Sequence, residues 1–250
     1  MNCDLIGSTW RVSSLRSHPR PVRDAIARHR EELQRDPASY ISHERWRLEG
    51  EVLKSASTYL DAQPADIALT DSTSMGLGLL YSGLKLTPRD EILTTSHDHY
   101  ATEAAIAACA ERTGCTVKRV DMYRQSFTAT ADEIVDAVRR GVSASTRIVA
   151  MTWVHSGTGV KAPVRAIADV IADVNKERGP DRRVHLCVDG VHGLGIEDVT
   201  LPELGCDSSP PAPTSGCSGR EGRASCGEGR KPGRSPDRRS PPGNLECSIP

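Results

Sequence analysis

The first 207 positions of the chain alternate between two patterns of apolar and polar residues. Apolar residues at every third or fourth position predict amphipathic helices, and short continuous apolar runs predict buried strands. The predicted helices span residues 22–33, 45–60, 74–84, 102–112, 131–140 and 164–176. The predicted strands span residues 66–70, 91–95, 116–122, 147–154 and 184–188. Strands that alternate with helices indicate an α/β fold: a mainly parallel sheet, helices on both faces and right-handed crossovers.

The pattern stops at Asp207. Residues 208–250 contain 8 of the 16 prolines in the chain and, among large aliphatic and aromatic residues, only Leu245 and Ile249. Such a segment buries too little apolar surface to offset the entropy lost on ordering it. We therefore expect a folded part over residues 1–207 and a disordered carboxyl-terminal tail over residues 208–250.

The charge and composition of the chain limit the kinds of binding partner that we expect. The net charge is −1, and acidic and basic residues are interspersed, so there is no electrostatic reason to expect binding to nucleic acid or to an anionic membrane. The amino terminus has no basic region followed by an apolar run, and no stretch is long enough to span a bilayer. The eight cysteines show no C-x-x-C spacing, which argues against a structural zinc site. We expect a soluble cytoplasmic protein with reduced thiols in its folded part.

Ligands of open parallel sheets collect at the carboxyl ends of the strands. After the strand at 66–70, Thr73 and Ser74 open a helix whose free N–H groups favour a phosphate, although hydroxyl residues there are also ordinary helix caps. After the strand at 91–95, His99 and Tyr100 offer flat rings to a ligand, although a loop histidine in solvent is the plainer interpretation.

The last two strand ends add polar groups. The segment 155–159 follows the strand at 147–154 and offers Ser156 in a glycine-containing turn. Asp189 follows the strand at 184–188, with His192 three residues later. A carboxylate at the end of a buried strand is costly unless it meets a cation or several donors, so we expect Asp189 to have a partner.

The string Cys187-Val188-Asp189-Gly190-Val191-His192-Gly193 resembles the class V aminotransferases, particularly the isopenicillin N epimerase-like and cysteine desulfurase-like branches. The resemblance covers roughly residues 5–207. It implies the large domain of the aspartate aminotransferase-like, type I fold of pyridoxal-phosphate enzymes. Residues 1–207 would then be a partial cofactor-binding domain with an amino-terminal arm, without the small carboxyl-terminal domain of the family.

The resemblance also implies a role for each candidate residue. Asp189 would pair with the pyridine nitrogen of pyridoxal 5'-phosphate and make the ring an electron sink. Thr73 and Ser74 would hold the phosphate, and His99, with Tyr100 as the alternative, would stack on the ring. Ser156 and His192 would contact its hydroxyl side. Ser156 departs from the asparagine common in relatives. The intact family implies an amino-acid substrate, a homodimer, and epimerase, lyase or transaminase chemistry.

The catalytic lysine of the family is missing. Relatives hold the cofactor as a Schiff base on a lysine within a Gly-Thr-His-Lys-Trp-like string after the strand that ends in the aspartate. The six lysines of this chain lie in other contexts: Lys54, Lys85, Lys118, Lys161, Lys176 and Lys231. We therefore assign no catalytic residue, and expect weak or no cofactor binding and no activity.

A single lost nucleotide accounts for the missing lysine. A GC-rich coding sequence for DFLAAGTHKWLFGPRGTG, with suitable synonymous codons, translates after deletion of one T behind the aspartate codon into residues 207–223 as they stand in this chain. The recovered string contains the lysine motif at its expected place. We interpret the tail as an out-of-frame product.

Two other functions are consistent with the sequence. The chain could be a non-catalytic remnant that associates with an intact paralogue. Alternatively, His97, His99, Asp189 and His192 could form the metal centre of a hydrolase.

Overall fold

The computed structural model of the chain describes residues 18–207 and the backbone of residues 216–218. The helices are α1 (Arg20–Arg35), α2 (Pro37–Leu60), α3 (Thr73–Gly83), α4 (Tyr100–Thr113), α5 (Ala131–Gly141), α6 (Val164–Lys176) and α7 (Leu201–Leu204). The strands are β1 (Ala68–Thr70), β2 (Glu91–Thr95), β3 (Thr116–Val120), β4 (Thr146–Thr152), β5 (His185–Asp189) and β6 (Gly216–Ser218). Short 3₁₀ turns lie at Pro64–Asp66 and Pro180–Arg182.

Four strands form a parallel sheet in the order β3-β2-β4-β5. Alternate residues of these strands pack into two cores, as the two-residue period of a strand requires. Ile92, Ile148 and Cys187 face α3 and α4, whereas Leu93, Val149 and Leu186 face α5 and α6. The predicted parallel sheet with helices on both faces is confirmed.

Local chemistry explains where the element boundaries differ from the predictions. Residues 66–70 were predicted as one strand, but Pro64 begins a 3₁₀ turn and β1 starts only at Ala68. The helix predicted from residue 45 begins instead at Pro37, because the Asp36 side chain accepts the Ser39 N–H at 3.0 Å and caps it. Proline is well tolerated in that first helical position, where its missing N–H has no helical partner to lose.

The carboxyl-terminal segment departs from its prediction at one place. Gly216–Ser218 form β6, which pairs antiparallel with β1 in a separate two-stranded sheet. Backbone pairing needs no apolar side chains, so a composition that cannot build a core can still supply a short edge strand. The rest of the predicted tail, and residues 1–17 of the predicted amino-terminal arm, lie outside the described residues.

The helices at the start of the chain are mostly exposed. α1 contains no buried residue, and α2 buries only Leu60. Across residues 18–207, no helix combines the length and apolar character needed to cross a membrane.

A buried carboxylate organises the edge of the sheet at which the strands begin. Asp90 is 2% exposed and accepts hydrogen bonds from the N–H and the hydroxyl of Thr87, both at 2.8 Å. Arg182 donates to its other oxygen at 2.7 Å. Burial raises the pKa of Asp90, but the Thr87 and Arg182 contacts outweigh it and leave the pKa below its ordinary value.

We expect Asp90→Ala to lower the free energy of unfolding by about 2 kcal/mol, because it leaves the Thr87 groups and Arg182 without their acceptor. Asp173→Ala is the control, since Asp173 and Lys176 form an ion pair in which both side chains are more than 70% exposed. That pair should contribute less than about 0.5 kcal/mol. Urea denaturation measures both, and equal losses would contradict a special role of Asp90.

Candidate functional site

The start of α3 is a capped helix amino terminus. The Ser72 hydroxyl accepts the Met75 N–H at 3.1 Å, and Thr73 and Ser74 occupy the first helical turn. Thr73 is buried and Ser74 is exposed. The helix dipole makes such a turn favourable for an anion. Further along α3, the buried ring of Tyr81 packs against Cys187 of β5, so this helix covers the sheet beside Asp189.

The loop after β2 carries His97, Asp98 and His99. His99 is exposed and caps α4, with its Nδ1 accepting the Ala101 N–H at 3.3 Å. Tyr100 follows it and is 76% exposed, with its ring centroid 4.1 Å from that of His99. Asp98 is half-buried and accepts hydrogen bonds from residues of both β2 and β4. The two rings predicted to face a ligand are therefore accessible.

The turn after β4 presents Ser156 on the surface. The Gly159 N–H donates to the His155 carbonyl at 2.7 Å, and the His155 N–H donates to the Val160 carbonyl at 3.0 Å. Gly159 has a φ of 72°, the left-handed conformation that favours glycine. Ser156 is held at the exposed tip of this turn.

Two buried side chains beneath that turn were not predicted from the sequence. His155 is 2% exposed, and its Nδ1 lies 3.0 Å from the Tyr123 hydroxyl, which also lies 3.0 Å from the Thr158 hydroxyl. The Tyr123 ring stacks on His97 at 4.0 Å. Burial lowers the pKa of His155, and the neighbouring His97 lowers it further although Asp98 opposes this. This cluster supports the turn of Ser156 from below.

Asp189 is the buried charge of the site. It is 4% exposed, and one of its oxygens accepts the Val191 N–H at 3.1 Å. Burial raises its pKa, and the nearby negative charge of Asp98 raises it further, whereas the Val191 N–H and the nearby His99 and His192 lower it. The net pKa is above the ordinary value. Two of the predicted site residues, His99 and His192, therefore lie near Asp189. Among the described residues, no lysine or arginine forms an ion pair with its carboxylate.

The glycines after Asp189 allow close packing. A β-carbon on Gly193 would lie 2.1 Å from the nearest atom of the Trp153 ring, so only glycine fits there without displacement. The Gly195 N–H donates to the Tyr59 hydroxyl of α2 at 3.1 Å. A cavity of about 530 Å³ lies between α2 and Leu194, lined mostly by apolar side chains and by none of the predicted site residues.

The predicted metal centre finds no support. Residues 18–207 contain no group of three or more histidine, cysteine, aspartate or glutamate side chains that could hold a metal ion. The ring of His97 stacks on Tyr123.

Comparison with known proteins identifies a family. The family model for class V aminotransferases matches residues 21–209. Isopenicillin N epimerase from Amycolatopsis lactamdurans is 25% identical over 191 residues, which cover 76% of this chain and 46% of that protein. The enzyme of the same name from Streptomyces clavuligerus is 22% identical over 189 residues, or 76% of this chain and 45% of that protein. The chain thus spans about half the length of the curated relatives it matches.

Solved structures share the fold. A mutant of C-DES with glycine covalently linked to the pyridoxal-phosphate cofactor superposes with a TM-score of 0.71 at 20% identity, over 82% of this chain and 54% of that one. The cysteine desulfurase CsdA from Escherichia coli superposes with a TM-score of 0.58 at 18% identity, over 71% of this chain and 44% of that one. These structures establish the fold class predicted from the sequence.

We expect Asp189→Asn to raise the free energy of unfolding by about 1 kcal/mol at neutral pH, because it removes the cost of burying a charge and keeps the acceptor for Val191. Because the pKa of Asp189 is raised in the folded state, the full cost of burying its charge is present above that pKa. It disappears below the ordinary value of 3.8, where the carboxyl is neutral in both states. Denaturant unfolding across acidic and neutral pH measures the difference.

Asp207→Asn is the control, for which we expect a change in the free energy of unfolding of the opposite sign. Burial raises the pKa of Asp207, but the His185 ring and the Leu186 N–H outweigh it and leave the pKa lowered. Its stabilising effect is therefore present above 3.8 and lost as the pH falls through the lowered folded-state pKa. Asp207→Asn should destabilise the protein at neutral pH, and a loss of stability in both variants would contradict the assignment for Asp189.

We expect Gly193→Ala to destabilise the fold by about 1–3 kcal/mol, because its methyl group meets the Trp153 ring. Gly157→Ala is the matched control in the neighbouring turn, since nothing lies within 4 Å of the added carbon. Thermal unfolding and the emission maximum of tryptophan report the effect. An unchanged Gly193→Ala variant would show that the ring and the loop are not packed together.

Proposed function

The chain belongs to the class V aminotransferase family, and we propose on this basis that the strand-end site is a pyridoxal 5'-phosphate pocket of an amino-acid enzyme, inactive in this chain because the lysine segment is lost. The observation that carries the proposal is Asp189, which is buried at the carboxyl end of β5 with its pKa raised by burial. A protonated pyridine nitrogen is the kind of partner that such a carboxylate lacks. The cytoplasmic location expected from the sequence is part of this proposal.

Each side chain has a distinct task in the proposed pocket. Asp189 would hold the proton on the pyridine nitrogen, and the ring of His99, which lies near enough to lower the pKa of Asp189, would lie against the cofactor ring. The start of α3, at Thr73 and Ser74, would bind the phosphate. Ser156 and His192 are exposed and would contact the hydroxyl side of the ring. When bound, the cofactor would supply an electron sink for amino-acid chemistry.

None of the four described lysines outside α2 replaces the missing one, and the fifth, Lys54, lies within α2. Lys85 precedes β2, and Lys176 ends α6 and pairs with Asp173, so both lie toward the sheet edge opposite the pocket. Lys118 donates to the Gly141 carbonyl at 2.7 Å. Lys161 follows the carboxyl end of β4, but its amine pairs with Glu197 at 2.9 Å. This distribution supports the proposal that the chain binds the cofactor weakly, without a covalent link.

We expect no visible absorbance band when pyridoxal 5'-phosphate is added to the purified chain, and no mass increase in residues 18–207 after borohydride reduction. Lys161→Ala is the control for the lysine that follows the carboxyl end of β4, and it should behave as the parent does. Insertion of one nucleotide behind the Asp207 codon should create the lysine motif and a borohydride-trappable adduct on its lysine. A specific adduct on the parent chain would overturn the proposed inactivity.

Sequencing the gene across the Asp207 codon tests the cause of the loss. The proposal requires that a one-base insertion restores a reading frame encoding a histidine-lysine-tryptophan triplet. A gene in which no single-base edit restores that triplet would remove the reading-frame explanation, while leaving the family membership intact.

The exposed face of the first two helices favours a second candidate function. Val22 and Ile26 of α1 and Trp46 of α2 are 42%, 48% and 71% exposed, and Val22 and Ile26 are one helical turn apart. A non-catalytic chain that associates with an intact paralogue could cover this face. Co-purification with a full-length relative, lost on Ile26→Glu and Trp46→Glu substitution, would distinguish this role from that of a simple inactive product.

A further inference from the structure

Strands β2 and β4 separate before they reach the site. The last residues that pair between the two strands are Leu93 and Val149, whereas β4 continues to Thr152. The Thr152 N–H points toward β2 beyond the end of this register. It donates to Oδ1 of Asp98 at 2.8 Å, so a side chain replaces the missing backbone partner.

The other oxygen of Asp98 binds the end of β2. Oδ2 accepts the Thr94 hydroxyl at 2.9 Å and the Thr95 N–H at 3.1 Å. A single carboxylate thus accepts three hydrogen bonds from two strands. Hydrogen bonds to an ionised acceptor are shorter and stronger than those between neutral groups, so this junction is well suited to fix a loop.

The junction adjoins two proposed cofactor contacts. His99 is the next residue after Asp98. On the other side, Thr152 is followed by Trp153, whose N–H donates to the Asp189 carbonyl at 2.9 Å. Consecutive N–H groups of β4 therefore bind the Asp98 side chain toward β2 and the Asp189 backbone toward β5.

The neighbours of Asp98 hold the loop to a different strand end. The Ser96 N–H donates to the Val120 carbonyl at 3.1 Å, and the Ser96 hydroxyl donates to Asp121. The His97 ring stacks on Tyr123. These contacts fix the loop to β3 and the segment after it, whereas the hydrogen bonds of Asp98 connect it to β4.

We propose that Asp98 is a positioning residue: by joining the ends of β2 and β4, it fixes the ring of His99 relative to the carboxylate of Asp189. This inference rests on the proposed function for the identity of the ligand between the two side chains. The junction itself is a property of the protein without ligand, so it has its own test.

The variant Asp98→Asn keeps the shape of the side chain and replaces one acceptor oxygen with a donor. The remaining oxygen is expected to stay with the two donors Thr94 and Thr95, so that the new NH2 group faces the Thr152 N–H. We therefore expect the amide hydrogen of Thr152 to exchange at least about tenfold faster, since it loses protection equivalent to one hydrogen bond. Asp121→Asn is the matched control, because Asp121 binds the same loop through Ser96 and is exposed. It should leave the Thr152 amide unchanged.

A second measurement separates positioning from simple structural support. Removal of the Asp98 charge should lower the pKa of Asp189, because the negative charge of Asp98 raises it in the parent. A carbon-detected NMR titration of the Asp189 carboxyl should therefore shift to lower pH in Asp98→Asn. The same titration should remain in place in Asp121→Asn.

A third measurement uses pyridoxal 5'-phosphate as the probe. We expect its non-covalent binding, measured by quenching of tryptophan fluorescence, to weaken about tenfold in Asp98→Asn and less than about twofold in Asp121→Asn.

If Asp98→Asn does not fold, Thr94→Val is the second variant, because it removes one of the three donors to Asp98. It should accelerate exchange at Thr95 and weaken binding by about two- to threefold.

The outcomes separate the two proposals. Absence of saturable cofactor binding in the parent chain would contradict the proposed pocket, while the exchange and titration data would still decide the role of Asp98. Unchanged exchange at Thr152, or an unmoved Asp189 titration, would overturn the junction. Faster exchange with unchanged cofactor affinity would show that Asp98 holds the strands together without positioning His99.

Discussion

The site depends on one electrostatic constraint, the burial of the Asp189 carboxylate at the end of an apolar strand. Leu186 and Val188 are each at most 1% exposed and have apolar side chains, which cannot stabilise a charge. Among the described residues, the carboxylate receives one hydrogen bond, from Val191, and two nearby histidines lower its pKa. A fold that evolved only for stability would place a neutral residue here, because an unpaired buried charge is costly. The cost is understandable if a cationic ligand supplies the missing partner.

The parallel sheet brings the polar groups together, and this is why the sequence predicts some of them and not others. Each strand end is visible as the place where an apolar run meets small and polar residues, so Asp189, His99 and Ser156 can be named from the sequence. Which strand ends are neighbours depends on the order β3-β2-β4-β5, which apolar patterns do not encode. Asp98 connects the ends of β2 and β4, and Tyr123 reaches from the end of β3 past β2 to His155 after β4. These contacts between different strand ends therefore appear only in the structure.

The element boundaries follow the same division between local and non-local causes. The helix over Val164–Lys176 coincides with its prediction, because its apolar periodicity continues to both ends. The start of α2 at Pro37 was missed because an aspartate cap and a proline, rather than apolar spacing, begin the helix. β6 at Gly216–Ser218 could not be predicted from its composition, since pairing of its backbone with β1 does not depend on apolar side chains. Its place in the fold reflects an available strand edge.

Asp207 lies where the pattern of the sequence changes, close to the end of the family match. Its N–H donates to the Leu186 carbonyl at 3.0 Å, and its side chain accepts the Leu186 N–H at 2.8 Å, so the chain is still bound to the edge of β5 at this residue. The next positions include Pro210, Pro211 and Pro213, which have no N–H to continue such pairing. The family match ends at residue 209, also beside this point. The strand ends that arrange Asp189, His99 and Asp98 all come earlier in the chain, whereas a lysine in the family position would come later. The proposed change of reading frame would therefore remove the reacting amine and leave intact the residues that would hold the cofactor.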